Sequence, residues 1–195
     1  MSRQIPTGSR TDWQTPKDFF LALALAQGGF EIDLAANETN HLCPRWYGPG
    51  GECPDALMVK DWPSPGFLNP PYGNMEPWLR KCVEEKEKGK TIVALIPAAT
   101  GAKWWREWVV PHADILFVTG RIKFGLPKRR KPSRPNHDSA VVVYSPEARG
   151  VVGWINNRPT MNLEGMSAEQ AEELFRVPAG DAGDGVHEAP AERSS

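Results

Sequence analysis

The chain has 195 residues and a formal net charge of −1; 40% of its residues are hydrophobic and 24% are charged. These values predict one globular domain with a sizeable core and exclude a membrane-spanning chain, because no apolar run approaches the length of a span. We expect no secretory leader, and three cysteines without a disulfide framework fit a reducing compartment. The sequence therefore predicts a cytoplasmic protein.

The charge is unevenly distributed between the two ends of the chain. Residues 178–195 carry a net charge of −3 and are rich in Gly, Ala and Pro, which predicts a disordered acidic tail. Residues 1–10 are polar, and we expect a flexible N-terminus there. A single α/β domain is predicted between them, over residues 11–177.

The first predicted helix covers Lys17 to Gln27, whose apolar residues recur at helical spacing. Thr15 is a suitable N-cap and Pro16 a suitable first helical residue, while Gly28 and Gly29 are typical of a helix end. The next segment, Phe30 to Ala36, reads as a buried strand.

An acidic residue, Asp33, stands where that first strand ends. In nucleotide-type α/β folds, a carboxylate at a strand end is well placed to bind ribose hydroxyls or a cationic amine. The polar stretch that follows contains His41, Cys43 and Cys53, but the two cysteines are ten positions apart and no fourth ligand is evident. We therefore predict no metal site.

The second strand ends at Phe67-Leu68 and runs directly into Asn69-Pro70-Pro71-Tyr72. Two prolines end a strand because neither has a backbone N–H, and they restrict the geometry of the residues before them. The Asn69 side chain and the Pro70 carbonyl can then accept both hydrogens of an exocyclic amine, which frees the lone pair of its nitrogen. Tyr72 can stack on the flat base that carries the amine.

The second strand, the helix after it and the next strand are spaced as a βαβ unit, for which a right-handed crossover is expected. The remaining predicted elements follow in chain order. They are a helix at residues 74–88, strands at 91–97, 114–119 and 139–144, a short edge strand at 151–155, and a helix at 167–176. In an intervening helix, Trp104 and Trp108 share a face and are predicted to be core, with Trp105 the candidate for an exposed, base-contacting ring. We expect the charged run from Glu84 to Lys88 to be a solvated face.

Residues 115–137 contain no acidic residue and are rich in basic residues and proline. A basic, extended segment of this kind is suited to contacts with backbone phosphates, and an arginine can also read guanine. The candidate nucleic-acid-binding residues are Arg121, Lys123, Lys128, Arg129, Arg130, Lys131 and Arg134.

Several motifs in this order resemble the phage-type DNA adenine-N6 methyltransferase family, whose members use S-adenosylmethionine. The resemblance spans about residues 11–145 and rests on Asp12-Trp13-Gln14-Thr15-Pro16, Phe30-Glu31-Ile32-Asp33-Leu34-Ala35-Ala36, Asp55-Ala56-Leu57, Asp61-Trp62, Asn69-Pro70-Pro71-Tyr72, Gly120-Arg121-Ile122-Lys123-Phe124 and Ser139-Ala140-Val141-Val142-Val143-Tyr144. It implies a Rossmann-like methyltransferase fold, with a twisted, mostly parallel sheet and helices on both faces. It also implies that residues 11–177 form the methyltransferase domain.

The resemblance implies roles for individual residues. Asn69, Pro70, Pro71 and Tyr72 would form the catalytic turn that transfers a methyl group to a flipped-out adenine. The cofactor would be held by Thr15, Pro16, Asp33, Ala35 and Asp61. No Gly-x-Gly follows the first strand, which is a departure from the glycine-rich cofactor loop of other methyltransferases.

Two alternatives stay open from the sequence. The same tetrapeptide serves methylation of other amines, such as cytosine N4, an RNA base or a protein glutamine amide. A non-catalytic DNA-binding module on a decayed methyltransferase scaffold is the second, and the missing Gly-x-Gly is compatible with it. The expected partner is double-stranded DNA, bound by a monomer or a homodimer, and no membrane partner is expected.

Overall fold

The computed structural model describes residues 14–125 and 137–157, which form a sheet flanked by helices. The expected flexible N-terminus, the acidic tail and the helix at 167–176 lie outside the described residues. The strands are β1 (Ile32–Asp33), β2 (Gly66–Leu68), β3 (Ile92–Pro97), β4 (Asp114–Thr119), β5 (Ser139–Tyr144) and β6 (Val152–Asn156). The α-helices are α1 (Lys17–Gln27), α2 (Glu76–Glu87) and α3 (Lys103–Trp108), and Ala56–Met58 form a 3₁₀ turn.

The six strands form one sheet in the order β1-β2-β3-β5-β4-β6. The pairings β1–β2, β2–β3 and β4–β6 are parallel, whereas β5 runs antiparallel to both of its neighbours, β3 and β4. The prediction of a mostly parallel sheet is therefore correct only in part, because the sheet is mixed. The predicted short strand near the C-terminal end is confirmed as β6, at the edge of the sheet.

Helices cover both faces of the sheet, as predicted for the α/β class. On one face, Phe19, Phe20 and Leu23 of α1 pack in a cluster with Phe67 of β2 and Val93 of β3. The other face carries α2 and α3 over a larger cluster that includes Ile92, Ala94 and Ile96 of β3. Burial on both faces explains why β3 is a continuous apolar run rather than an alternating one.

The start of α1 differs from the prediction, although its bounds agree with it. Pro16 is the residue that caps α1, with φ −58° and ψ 137°, and no side chain donates or accepts a capping hydrogen bond there. The Pro16 carbonyl accepts from the Phe20 N–H at 3.0 Å. Thr15 is thus not the N-cap, and its hydroxyl is used elsewhere.

The burial of the tryptophans in α3 is the reverse of the prediction. Trp105 is 3% exposed and its ring stacks on Phe117 of β4, with ring centroids 6.1 Å apart. Trp104 and Trp108 are only partly buried. The helix has only six residues, and Trp105 is its one buried residue. Which residue of so short a helix is buried depends on how the helix packs on the sheet, and i,i+4 spacing alone does not predict it.

The charged run at the end of α2 is exposed at Glu84, Glu87 and Lys88, as predicted, but Glu85 departs from the prediction. The Glu85 side chain is fully buried, with Lys81 Nζ at 2.7 Å and Lys88 Nζ at 2.9 Å. One Glu85 oxygen also accepts from the Trp62 backbone N–H at 3.0 Å. We call Trp62, Lys81, Glu85 and Lys88 the Glu85 cluster; it ties α2 to the segment that leads into β2.

Candidate active site

Several chain segments end at the carboxyl edge of the parallel strands. Asp33 ends β1, Asn69 follows β2, and Ala98 follows β3. The antiparallel strand β5 begins at this edge, where the Asp138 carbonyl accepts from the Ala98 N–H at 2.9 Å. In open α/β sheets, ligands bind outside the carboxyl ends of the strands. We refer to this side as the carboxyl edge and to the opposite side as the amino edge.

The Asn69 side chain contacts Thr15 at this edge. Asn69 Nδ2 donates to Thr15 Oγ1 at 3.0 Å, across 54 positions of sequence. Thr15 is 8% exposed, and Asn69 is partly buried. The contact brings together a residue predicted to be catalytic and one predicted to hold the cofactor.

The segment that carries Thr15 is held by a short antiparallel bridge. Gln14 and Gly125 exchange two backbone hydrogen bonds, Gln14 N–H to Gly125 O at 3.0 Å and Gly125 N–H to Gln14 O at 2.9 Å. A Cβ on Gly125 would lie 3.0 Å from Gln14 Oε1, so a larger residue there would require the Gln14 side chain to shift. No local pattern predicts this bridge, since its two partners are 111 positions apart in the chain.

The two prolines and Tyr72 complete the turn after β2. Pro70 is buried, Pro71 is exposed and Tyr72 is partly exposed. The Tyr72 hydroxyl oxygen is buried and has no hydrogen-bond partner within residues 14–125 and 137–157. Burial raises the pKa of Tyr72 well above its usual value, so the hydroxyl stays neutral.

His137 is a neighbour of Tyr72 that sequence reasoning missed. The two rings meet edge-on, with centroids 5.5 Å apart and an interplanar angle of 75°. His137 precedes β5, and because β5 is antiparallel its start lies beside the end of β3. An unexpected strand direction therefore brings this imidazole to the carboxyl edge, and the assumption of a parallel sheet concealed it.

Asp33 is buried and holds the loop that follows β1. It is 3% exposed; Oδ1 accepts from the Ala35 N–H at 3.3 Å and Oδ2 from the Leu42 N–H at 3.1 Å. Burial raises the pKa of Asp33 to about 6, although both backbone hydrogen bonds and nearby His41 act in the opposite direction. No Lys or Arg of the described chain pairs with this carboxyl.

The loop beyond Asp33 presents an aromatic pair. The rings of His41 and Trp46 stack with centroids 4.0 Å apart and an interplanar angle of 11°. Tyr47 is 6% exposed and belongs to the core. His41 Nδ1 lies 2.8 Å from the Cys43 carbonyl, and no group of three potential metal ligands occurs among the described residues.

The structure does not bring Asp61 together with the other residues that were predicted to hold the cofactor. Asp61 is exposed, and its Oδ1 lies 2.9 Å from Lys88 Nζ, just beyond the end of α2. Since α2 leaves the carboxyl edge after β2 and returns to the start of β3, its last residues lie at the amino edge. Asp61 thus lies beside the Glu85 cluster at the amino edge, whereas Asn69 lies at the carboxyl edge.

Two predicted DNA-contacting residues are described, Arg121 and Lys123, and both are exposed. They alternate with Ile122 and Phe124, which are 1% and 0% exposed and anchor the segment to the core. Arg121 Nε lies 3.6 Å from Asp138 Oδ1. The other candidates, Lys128, Arg129, Arg130, Lys131 and Arg134, lie outside the described residues.

Comparison with known proteins supports the family resemblance of the sequence. The family model for DNA N-6-adenine-methyltransferase (Dam) matches residues 2–168. A curated relative, the DNA N-6-adenine-methyltransferase of Escherichia phage T1, is 28% identical over 116 residues, which are 58% of this chain and 47% of the relative. The chain thus matches about half the length of that relative. The match over most of the chain shows that the protein belongs to the DNA N-6-adenine-methyltransferase (Dam) family.

Proposed function

We propose that this protein transfers a methyl group from S-adenosylmethionine to the exocyclic N6 amine of adenine in double-stranded DNA. The observation that carries the proposal is the Asn69-Pro70-Pro71-Tyr72 turn, which follows β2 at the carboxyl edge and contacts Thr15. The family match and the name of the phage relative support the same reaction. The cytoplasm of a bacterial host is the compartment we propose, on the basis of that phage relative.

The residues at the carboxyl edge are chemically suited to S-adenosylmethionine. Asp33 is a buried carboxylate without a Lys or Arg partner in the described chain, and burial raises its pKa to about 6. A cationic amine placed beside it would stabilise the charged carboxylate and so replace the solvation that burial removes. We assign the amine end of the cofactor to Asp33, and its remaining contacts to Thr15, Pro16 and Ala35.

The bound cofactor would supply a methyl group on a sulfonium, an electrophile reactive enough that a strong base is not needed. The chain's own contribution is to prepare the nucleophile. The Asn69 side-chain oxygen and the Pro70 carbonyl would accept the two N–H hydrogens of the adenine amine. These two hydrogen bonds would pull the nitrogen toward tetrahedral geometry and localise its lone pair. Because both acceptors are already fixed in place, little energy is needed to reorganise them during the reaction.

Tyr72 would hold the adenine ring by stacking. A base in a duplex cannot reach a protein turn, so it must be flipped out, and an aromatic face offsets part of the lost stacking. The partly exposed Tyr72 ring and its contact with His137 support this role. Rate enhancement would then come from holding the flipped adenine beside the residues that would hold the cofactor, Thr15, Pro16, Asp33 and Ala35.

The basic segment would bind the DNA backbone. Arg121 and Lys123 are exposed next to the Gly125 bridge that holds Thr15. Cations at this position can neutralise phosphates and fix the register of the duplex without reading its sequence. We propose that the basic residues from Lys128 to Arg134 act with them.

The proposal is tested with purified protein, labelled S-adenosylmethionine and mixed-sequence duplex DNA, followed by nucleoside analysis. We expect N6-methyldeoxyadenosine from the wild type and a single-turnover rate lower by about 100- to 1,000-fold in Asn69→Ala. Asn74→Ala is the matched control, because Asn74 is exposed in the same loop, and its rate should stay near that of the wild type.

Other products would correct the proposal. Methyl on cytosine N4 would keep the mechanism and change the base. Methyl only on RNA or on a protein glutamine would change the substrate class. Neither methyl transfer nor cofactor binding would identify the protein as a non-catalytic module on a methyltransferase scaffold, and near wild-type rates in Asn69→Ala would overturn the role of Asn69.

A further inference from the structure

The contact between Asn69 and Thr15 constrains the orientation of a side-chain amide. An Asn side chain carries one acceptor oxygen and one donor NH₂ group, and rotation by 180° about its last bond exchanges them. Asn69 Nδ2 donates to Thr15 Oγ1 at 3.0 Å. With the Thr15 hydroxyl as acceptor, the NH₂ end of the amide faces Thr15 and the side-chain oxygen faces away from it. Exchange of the two ends would require the hydroxyl to donate instead of accept.

Thr15 is itself held from both sides along the chain. On its N-terminal side, the Gln14–Gly125 bridge fixes the backbone with two hydrogen bonds. On its C-terminal side, Pro16 opens α1, and the Phe20 ring of that helix packs edge-on against Phe67 of β2 with centroids 5.0 Å apart. Because β2 also carries Asn69, the hydroxyl and the amide are parts of one packed unit.

The Thr15 hydroxyl has no role in capping the helix that it precedes. Thr is a good N-cap residue, yet α1 is capped by Pro16 with no side-chain hydrogen bond, and Thr15 is 8% exposed. A buried hydroxyl needs a hydrogen-bond partner, and here that partner is the Asn69 amide. The contact therefore accounts for a polar residue at a buried position.

We propose that Thr15 is a positioning residue for catalysis: its hydroxyl accepts from Asn69 Nδ2 and so directs the Asn69 oxygen toward the adenine amine. The inference rests on the proposed function, because it assigns the Asn69 oxygen to that amine. It differs from the assignment of Thr15 to the cofactor alone. A cofactor contact alone would lower affinity for S-adenosylmethionine, whereas a positioning role lowers the rate after the cofactor is bound.

The first experiment compares Thr15→Val, which keeps the shape but lacks the hydroxyl, with Thr15→Ser, which keeps the hydroxyl. Single-turnover rates are measured at saturating S-adenosylmethionine and duplex DNA. We expect Thr15→Val to be roughly five- to ten-fold slower, the effect of one neutral hydrogen bond, and Thr15→Ser to be within about two-fold of the wild type. Thr91→Val is the control, since Thr91 is half-buried at the amino edge.

The same substitution is then made in the Asn69→Ala background. If Thr15 acts through Asn69, Thr15→Val causes no further loss there, because the group that it orients is absent. A full, additive loss in that background would overturn the proposal. So would a Thr15→Val protein whose rate returns to the wild-type value once S-adenosylmethionine is saturating.

A third measurement tests the contact without relying on activity. The side-chain NH₂ resonances of Asn69 are assigned as the pair lost from a ¹H–¹⁵N spectrum in Asn69→Ala. They should shift in Thr15→Val and stay near the wild-type position in Thr15→Ser and Thr91→Val. Unchanged resonances in Thr15→Val would overturn the positioning role, whereas failure of the wild type to methylate any acceptor would overturn the proposed function.

Discussion

Two buried carboxylates, one at each edge of the sheet, are treated in opposite ways by the fold. Asp33 is 3% exposed at the carboxyl edge, and Glu85 is fully buried near the amino edge. Burial raises the pKa of Asp33 to about 6, and two backbone N–H groups are not enough to offset it. For Glu85, burial also acts to raise the pKa, but hydrogen bonds from Lys81, Lys88 and the Trp62 N–H outweigh it and the pKa is lowered.

The difference is that Glu85 has cationic partners within the described chain, whereas Asp33 has only backbone N–H donors. The Glu85 cluster contains its own cations, so its charges are compensated before any ligand arrives. Asp33 is held only by neutral donors within the described chain, and a cation would complete it. We infer that the amino edge stabilises the fold, whereas the carboxyl edge retains the capacity to bind a ligand. The following substitutions test this contrast.

Removal of Glu85 should have the largest effect. Glu85→Ala leaves Lys81, whose side chain is 10% exposed, without its buried partner, and we expect a loss of about 3–5 kcal/mol in the free energy of unfolding. Urea unfolding measures it. Glu84→Ala is the control, because that carboxylate is 54% exposed and 3.8 Å from Lys81, and its loss should cost less than about 1 kcal/mol. Equal effects of the two substitutions would remove the contrast.

Replacement of Asp33 should affect binding more than folding. Asp33→Asn keeps the size of the side chain but cannot pair with a cationic amine, so we expect affinity for S-adenosylmethionine to fall by about 10- to 100-fold at neutral pH. Calorimetry measures this change, with urea unfolding alongside it. A variant that unfolds like Glu85→Ala, yet binds the cofactor like the wild type, would show that both carboxylates are structural.

The pH dependence of cofactor affinity tests the same assignment. The folded Asp33 has a pKa of about 6, so its carboxyl is largely neutral below that value and charged above it. Affinity for a cationic amine should therefore rise as the pH increases through about 6 and then level off. Asp33→Asn should abolish the rise. The profile is repeated in His41→Gln, because His41 is a second titratable group facing Asp33.

The two edges also differ in how far they could be predicted from the sequence. Local signals gave the bounds of α1 and located β3, β4 and the turn at Asn69, because apolar periodicity and prolines act over a few residues. The direction of β5, the burial of Glu85 and the place of Asp61 depend on which distant elements meet. A run of charges reads as solvated whether or not a segment such as Trp62 later covers it.

The turn proposed to be catalytic was predicted from its residues, but its supporting contacts were not. The tetrapeptide is recognisable because proline chemistry fixes the local backbone. The Thr15–Asn69 hydrogen bond and the Tyr72–His137 contact join residues 54 and 65 positions apart, and no local pattern encodes either pairing. The sequence predicts Thr15 as a helix N-cap, and only the fold shows that its hydroxyl accepts a hydrogen bond from the Asn69 amide.

Basic residues at the two edges should differ in their effect on DNA binding. Lys123 is exposed at the carboxyl edge, and its removal should lower the slope of log affinity against log salt by about 0.9, the value for one phosphate contact. Fluorescence anisotropy with a labelled duplex measures the slope. Lys60→Ala, an exposed lysine beside the Glu85 cluster, is the control and should leave the slope unchanged.

The smallest effects are expected from two tyrosine hydroxyls, and they repeat the contrast between the edges. The Tyr144 hydroxyl donates to the Trp108 carbonyl at 2.9 Å near the amino edge, whereas the buried Tyr72 hydroxyl finds no partner in the described chain. Tyr144→Phe should cost about 1 kcal/mol of stability, and Tyr72→Phe should be neutral or slightly stabilising because a desolvated hydroxyl is removed.

Tyr72→Phe also separates stacking from hydrogen bonding in the proposed reaction. The phenylalanine ring keeps the face that would stack on adenine, so the methylation rate should stay within about two-fold of the wild type, whereas Tyr72→Ala should lose the stacking contribution of about 1–3 kcal/mol. Single-turnover rates and urea unfolding of the same proteins measure both quantities. A large loss of rate in Tyr72→Phe would mean that the Tyr72 hydroxyl forms a hydrogen bond with the substrate. Tyr72 would then be a second residue at the carboxyl edge, after Asp33, whose polar group finds its partner only in a bound ligand.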